Sequence, residues 1–388
     1  MNGMGNAGLN DTPGANRVSI AFFGLRNAGK STLVNAFCGQ EVAIVSDVAG
    51  TTTDPVSKAM EILPLGPCLV TDTAGLDDEG PLGAERVRRS LAVLATADIA
   101  VWVEGECAPA DATAAARLKE SFLRECRMRS VVVVEYKRGD SVQELRNRVA
   151  AVKVEPEPGL LDGLVAAGDR VVCVCPIDES APKGRLILPQ VQAIRDCLDR
   201  GAACMVCQPA DLAACLAESV PPPSRPVLVI TDSQAFGDVR RTVDEARADG
   251  RNIRLTSFSV LFARQKGDLA AYVRGMEAVS SLRDGDLVLV AEGCTHHRQC
   301  NDIGTVKIPA ALRRLTGREL SFAFSSGKSF PADAKSRPAL VVHCGGCMLT
   351  RREMRRRIAL AEELGAPIVN YGLLLAMANG LKAEEVMP

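Results

Sequence analysis

The strongest constraint on the fold is a stretch near the N-terminus. Val18-Ser19-Ile20-Ala21-Phe22-Phe23 reads as an apolar strand and runs directly into Gly24-Leu25-Arg26-Asn27-Ala28-Gly29-Lys30-Ser31, with a helix expected after it. A strand, a glycine loop and a helix in succession form a phosphate-binding loop, which commits the first part of the chain to an α/β fold. The glycines let the backbone wrap the phosphates, and successive N–H groups with the helix N-terminus bind the anion. Lys30 reaches the terminal phosphates and Ser31 offers a hydroxyl to Mg²⁺. Gly24, Asn27, Ala28, Gly29, Lys30, Ser31 and Thr32 are therefore the expected nucleotide contacts.

A second half-site follows. Leu69-Val70-Thr71-Asp72-Thr73-Ala74-Gly75 is a strand ending in DxxG, where Asp72 can hold Mg²⁺ through water and the Gly75 N–H can sense a γ-phosphate. Between the halves, Gly50-Thr51-Thr52-Thr53-Asp54-Pro55 stands where a switch loop belongs, and Thr52 is the expected metal ligand in the triphosphate state. Lys30, Thr52, Asp72 and Gly75 form the expected catalytic set. Leu76 occupies the position where many small GTPases carry a water-orienting glutamine. The base-recognition signal is irregular. After Val131-Val132-Val133-Val134 comes Glu135-Tyr136-Lys137-Arg138-Gly139-Asp140, in which Lys137 fits Asn-Lys-x-Asp, Tyr136 replaces the Asn, and Asp140 is one residue late. Guanine recognition is inferred from the surrounding architecture.

A chain of 388 residues exceeds one ordinary core. Three domains are expected, 1–177, 178–265 and 266–388, with the first boundary in the Pro- and Gly-punctuated stretch Cys175 to Gln190. The middle one reads as a small α/β module for docking or dimerisation, with strands at Cys204–Cys207, Val227–Ile230 and Ile253–Phe262 and a helix over Asp238–Ala248. Lys plus Arg number 46 against 47 Asp plus Glu, a balance that argues against a protein that coats nucleic acid or an anionic membrane. No apolar run is long enough to span a bilayer, and Met1 to Arg17 is small and polar, so a cytoplasmic protein is expected. Without a secretory signal, the 14 cysteines read as thiols or metal ligands. Cys173 and Cys175 alternate within a strand, and Cys204-Met205-Val206-Cys207 reads as a strand despite its CxxC spacing.

All three histidines lie in two short stretches with four further cysteines, Cys294-Thr295-His296-His297 through Cys300, and His343-Cys344-Gly345-Gly346-Cys347. Both follow apolar strand-like runs, Leu287–Val290 and Ala339–Val342, so both should sit at strand C-terminal ends, where open α/β sheets build sites. Cys294, Cys344 and Cys347 can hold three irons of a cubane cluster, with His296 or His343 on the fourth. Zinc in a tetrahedral Cys and His site is the competing reading. His297 and Cys300 are taken as non-ligating. Arg351 to Leu364 reads as a helix with Met354, Ile358, Ala361 and Leu364 on one face and its arginines in solvent.

These residues carry a resemblance. Cys-x-His, then His-Cys-x-x-Cys after the 46 residues from 297 to 342, joined to a P-loop, resembles the HydF family of [FeFe]-hydrogenase maturation GTPases. Ala181–Gln190, Ile230–Gln234, Leu255–Ser259 and Asn370-Tyr371-Gly372 are similar to the family as well. The resemblance implies a GTPase with GTP and Mg²⁺, a dimerising middle domain, and a [4Fe-4S] cluster on Cys294, Cys344 and Cys347. It implies a scaffold that carries a transient di-iron subcluster between two radical-SAM maturases and apo-[FeFe]-hydrogenase, as a homodimer or higher oligomer, without nucleic acid or membrane. The GTPases similar in this segment use an Asn at the position of Asn27 to bind K⁺ in place of an arginine finger. A zinc-stabilised regulatory GTPase and a tRNA-modification GTPase are the alternatives.

Overall fold

The computed structural model describes residues 14–39, 55–78, 80–105, 112–155, 157–177, 184, 186–218, 225–293, 302–327, 330 and 337–387. The chain divides into two compact units, residues 1–156 and 157–388.

The first unit is a five-stranded sheet of β1 (Val18–Gly24), β2 (Val56–Ile62), β3 (Gly66–Asp72), β4 (Ile99–Glu104) and β5 (Val132–Lys137), in the order β2-β3-β1-β4-β5. All neighbours are parallel except the β2–β3 pair. Strand β1 shows why its sequence is apolar without alternation. Ile20 and Phe22 enter one core with Phe37, Val70 and Val101, while Ala21 and Phe23 enter another with Leu94, Trp102 and Phe122. A parallel strand covered by helices on both faces must be apolar on both. The Phe22 and Phe37 rings meet edge-on at 5.3 Å. Edge strand β2 instead alternates half-buried and exposed residues.

The second unit holds two wholly parallel four-stranded sheets. One is β6 (Arg170–Val174), β7 (Ala203–Cys207), β8 (Val227–Thr231) and β9 (Ile253–Ser257), ordered β7-β6-β8-β9. The other is β10 (Leu287–Ala291), β11 (Ser321–Ser325), β12 (Leu340–His343) and β13 (Ile368–Asn370), ordered β11-β10-β12-β13. A single apolar core joins them, with Val172, Val229 and Leu255 of the first sheet in one cluster with Val288, Val341 and Val369 of the second.

Two expectations are corrected. The first boundary lies between Pro156 and Glu157 rather than at 177, because β6 pairs with β7 and β8. The Pro- and Gly-rich stretch thus follows the first strand of the second unit. The run Ile253–Phe262 is a strand only to Ser257, and Phe258–Lys266 is a helix. An unbroken apolar run fits a buried helix as well as a strand. Ser257 decides between them, since its side chain caps the helix by accepting the Val260 N–H at 3.2 Å. The CxxC segment Ala203–Cys207 is a strand, and every described cysteine is a thiol rather than half of a disulfide. Among the described residues no helix is long and apolar enough to cross a membrane.

Candidate functional site

The phosphate loop lies between β1 and the helix Lys30–Cys38. Asn27 (φ 60°) and Gly29 (φ 83°) take left-handed backbone, which turns the loop. Gly29 caps the helix without a side-chain hydrogen bond, so the first-turn N–H groups face the loop. Gly75 packs so tightly on Arg26 that a Cβ there would lie 2.7 Å from the Arg26 nitrogen, and the Leu76 N–H reaches the Gly24 carbonyl at 3.2 Å. The DxxG segment and the P-loop are thus in direct contact. Leu76 is buried and offers no polar group at the glutamine position.

Lys30 is buried, with Nζ donating to the Leu25 carbonyl at 2.7 Å and to that of Gly24 at 3.3 Å. Burial lowers its pKa, against the pull of Asp72, Asp77 and Asp78. Asp72 is wholly buried at the end of β3, and Ser31 Oγ donates to its Oδ2 at 2.6 Å. Its other oxygen, Oδ1, is buried with no hydrogen-bond partner, and burial raises the carboxyl's pKa. An orphaned carboxylate oxygen beside a serine hydroxyl is a donor set suited to Mg²⁺, a hard cation that takes oxygen ligands. Thr52 lies outside the described residues.

Lys137 ends β5, and the extra residue is taken up by a turn in which Gly139 has φ 99°. That turn brings Asp140 Oδ2 back to the Lys137 N–H at 3.0 Å, while Arg148 Nη2 donates to the same oxygen at 3.4 Å. Tyr136, in the Asn position, donates its hydroxyl to the Asp140 carbonyl at 3.1 Å.

In the second unit the ends of three neighbouring strands align as Ala291, His343 and Asn370. Cys344 follows β12 directly, its N–H bonded to the Ala291 carbonyl at 3.0 Å. The Gly293 N–H donates to Cys344 Sγ at 3.1 Å, so the residue before Cys294 lies against the Cys344 sulfur. Gly346 turns the loop with φ 69°, and a Cβ on Gly345 would press on Ser259 at 3.1–3.2 Å. Burial pushes the Cys347 thiol up, opposed by Lys266 and by the N–H groups of Met348 and Cys347. Cys294, His296, His297 and Cys300 lie outside the described residues. Among the described residues no set of three or more His, Cys, Asp or Glu is arranged to hold a metal. Two thiols, soft donors of the kind an iron–sulfur cluster takes, thus stand on one glycine-turned loop, and Cys344 Sγ accepts the Gly293 N–H.

His343 differs from its expected role. The ring is fully buried, with Nδ1 donating to the Cys344 carbonyl at 2.8 Å and Nε2 accepting from Arg357 Nη1 at 3.1 Å. Both nitrogens are engaged within the fold. Burial, then Arg357, lower its pKa to about 4, which keeps the ring neutral. Arg357 corrects a second expectation. It lies in the helix Arg351–Glu363 and is wholly buried, its Nε on Glu353 Oε1 at 2.7 Å and its guanidinium 5.3 Å from the Phe330 ring centroid. The one signal in the sequence was its place between Met354, Ile358 and Ala361 on the apolar face. Lys266 was also missed, and it reaches the cysteine loop from the helix Phe258–Lys266.

A strand-loop-helix phosphate site with a DxxG strand beside it, followed by a double-sheet unit bearing a cysteine loop, defines a P-loop GTPase domain joined to further α/β domains. Family models place that combination. The 50S ribosome-binding GTPase model matches residues 19–137, the hydrogen maturase F dimerization domain 160–267, and the hydrogen maturase F tetramerization domain 270–387. The last two span more than half of the chain, which belongs to the hydrogen maturase F family. Curated relatives resemble the GTPase domain alone. The tRNA modification GTPase MnmE of Methylobacterium sp. (strain 4-46) is 44% identical over 86 residues, 22% of this chain and 20% of that protein. MnmE of Endomicrobium trichonymphae is 29% identical over 172 residues, 42% of this chain and 36% of its own. The chain thus spans about a fifth to a third of these relatives' length. Among solved structures, Era of Aquifex aeolicus bound to GDP.AlF4- aligns at 15% identity over 79% of this chain and 93% of its own, with TM-score 0.25. Toc33 of Arabidopsis thaliana with Mg²⁺ and GMPPNP aligns at 17% identity over 35% of this chain and 82% of its own, with TM-score 0.24.

Proposed function

We propose that this chain hydrolyses GTP in its first unit and carries a [4Fe-4S] cluster in its second. In this reading it serves hydrogenase maturation as a homodimeric or larger cytoplasmic scaffold, without nucleic acid. It takes a di-iron subcluster precursor from two radical-SAM maturases and passes it to apo-[FeFe]-hydrogenase. The observation that carries the reading is the Gly293 N–H on Cys344 Sγ, since it ties the chain entering Cys294 to the first sulfur of the HCGGC loop. Cys294, Cys344 and Cys347 would hold the cluster. With His343 engaged on both nitrogens, His296 is the histidine left for the fourth iron.

At the nucleotide, bound Mg²⁺ would neutralise developing phosphate charge as a Lewis acid. Ser31, Thr52 and the orphaned Asp72 carboxylate would hold it. Lys30 would exchange the Leu25 and Gly24 carbonyls for the terminal phosphates, and the Gly75 N–H would meet the γ-phosphate. Lys137 would flank the base. With Leu76 unable to orient water, turnover should be slow and should depend on K⁺ at the Asn27 amide oxygen.

Anaerobic purification, metal analysis and EPR of the reduced protein test the central part. About four irons per chain with a reducible signal are expected of a three-cysteine cubane. Stoichiometric zinc with no iron after reconstitution would overturn it. RNA binding that weakens steeply with salt would instead favour a role like that named for the MnmE relatives.

A further inference from the structure

Lys266 is 1% exposed, and burial lowers its pKa against the opposing pull of Glu157, Cys347 and Cys344. Its Nζ donates to the carbonyls of Leu349 at 2.7 Å, Cys347 at 3.2 Å and Gly346 at 3.4 Å, and lies 5.1 Å from the Phe262 ring centroid. Three protons thus meet three carbonyls, which is what a buried ammonium requires. A lysine that only neutralised its own helix terminus would turn to the last carbonyls of that helix. This one reaches more than eighty positions along the chain into the loop bearing Cys347.

The consequence follows from peptide geometry. In a trans peptide the C=O and N–H of one plane point in opposite directions. The Gly346 carbonyl shares its plane with the Cys347 N–H, and the Cys347 carbonyl shares its plane with the Met348 N–H. With both oxygens drawn to Lys266, both N–H groups face away from it, and the Met348 and Cys347 amides are among the influences that hold the Cys347 thiol down against burial. Gly346 makes the orientation possible, since φ 69° favours a residue without a side chain.

We propose that Lys266 is a positioning residue for the cysteine loop, turning the peptide planes on either side of Cys347 so that two N–H groups face its sulfur and raise the reduction potential of the cluster bound there. The statement about the potential rests on the cluster reading above, whereas the statement about the loop does not. Amide donors to cluster sulfur stabilise the more negative, reduced state, so their loss moves the potential down.

The test uses the full chain as wild type, Lys266→Met and Lys266→Arg. In the metal-free protein, hydrogen–deuterium exchange is expected to be at least about tenfold faster at Cys347 and Met348 in Lys266→Met, with strand β8 unchanged and Lys266→Arg close to wild type. After iron–sulfur reconstitution, redox titration followed by EPR is expected to show a more negative midpoint and altered g-values in Lys266→Met, with Arg restoring both. Unchanged exchange and an unchanged midpoint in Lys266→Met would overturn the assignment. A wild type that takes up no iron would overturn the cluster reading alone, leaving the exchange result to decide on Lys266. If Lys266→Met does not fold, Lys266→Gln retains one donor group, and it is expected to fall between wild type and full loss in both measurements. Exchange and midpoint at wild-type values in Lys266→Gln would likewise count against the proposal.

Discussion

Truncation of Arg357 tests the structure where it departs most from the sequence pattern. Arg357→Ala removes a fully buried guanidinium that donates to Glu353 at 2.7 Å, His343 at 3.1 Å and the Glu292 carbonyl at 3.4 Å, and also to the Gly327 carbonyl. Removing one partner of a buried ion pair costs about 3–5 kcal/mol. Here Glu353 keeps Arg356, whose two nitrogens lie at 2.7 and 2.8 Å, so no carboxylate is left unpaired and the lower end, about 3 kcal/mol, applies. Arg355, two residues away on the exposed side of the same helix, supplies the contrast, and Arg355→Ala should stay within about 0.5 kcal/mol. Urea unfolding followed by far-UV circular dichroism reads both. At about 2–3 kcal/mol per molar urea, Arg357→Ala should lower the midpoint by about 1 M and Arg355→Ala by under about 0.3 M. Equal shifts in the two variants would refute the burial argument. Arg357→Met, which fills much of the volume and buries no charge, should recover part of the loss.

Three further outcomes follow from the same geometry. Lys30→Ala should reduce GTP hydrolysis at least about a hundredfold while leaving iron content and cluster absorption as in wild type, since the two sites are in separate units; loss of the cluster in that variant would argue against this separation. GTP turnover should be several-fold faster in K⁺ than in Na⁺, and Asn27→Ala should remove that difference; equal rates in the two salts would count against the cation at Asn27. Burial raises the Glu353 pKa, but Arg356 and Arg357 more than offset this and hold it below the ordinary carboxylate value. Its contribution to stability is therefore complete above that value and is lost as pH falls below it, so Arg356→Ala should lessen the acid sensitivity of the urea midpoint.

Much was legible along the chain because some chemistry is local. The P-loop, the DxxG strand and the HCGGC loop each depend on residues adjacent in sequence, and each sits at a strand end as its apolar run implies. Other features were written with the same letters as their alternatives. The run Ile253–Phe262 has one hydropathy whether it forms a strand or a buried helix, and the Ser257 cap settles it. The base-recognition stretch has Asp140 one residue late in sequence, yet a left-handed Gly139 returns its carboxylate to the Lys137 N–H.

The sequence by itself thus determined a parallel α/β chain with a nucleotide site near one end and a cysteine-rich site near the other, because strand periodicity and contiguous motifs suffice for that. Tertiary structure decided which charged residues are buried. Arg357 and Lys266 look like ordinary surface cations until β12 brings the His343 imidazole to the one and the loop after β12 brings carbonyls to the other. It also decided where the first domain ends, since a strand belongs to the sheet it pairs with, and β6 pairs with partners that come later in the chain.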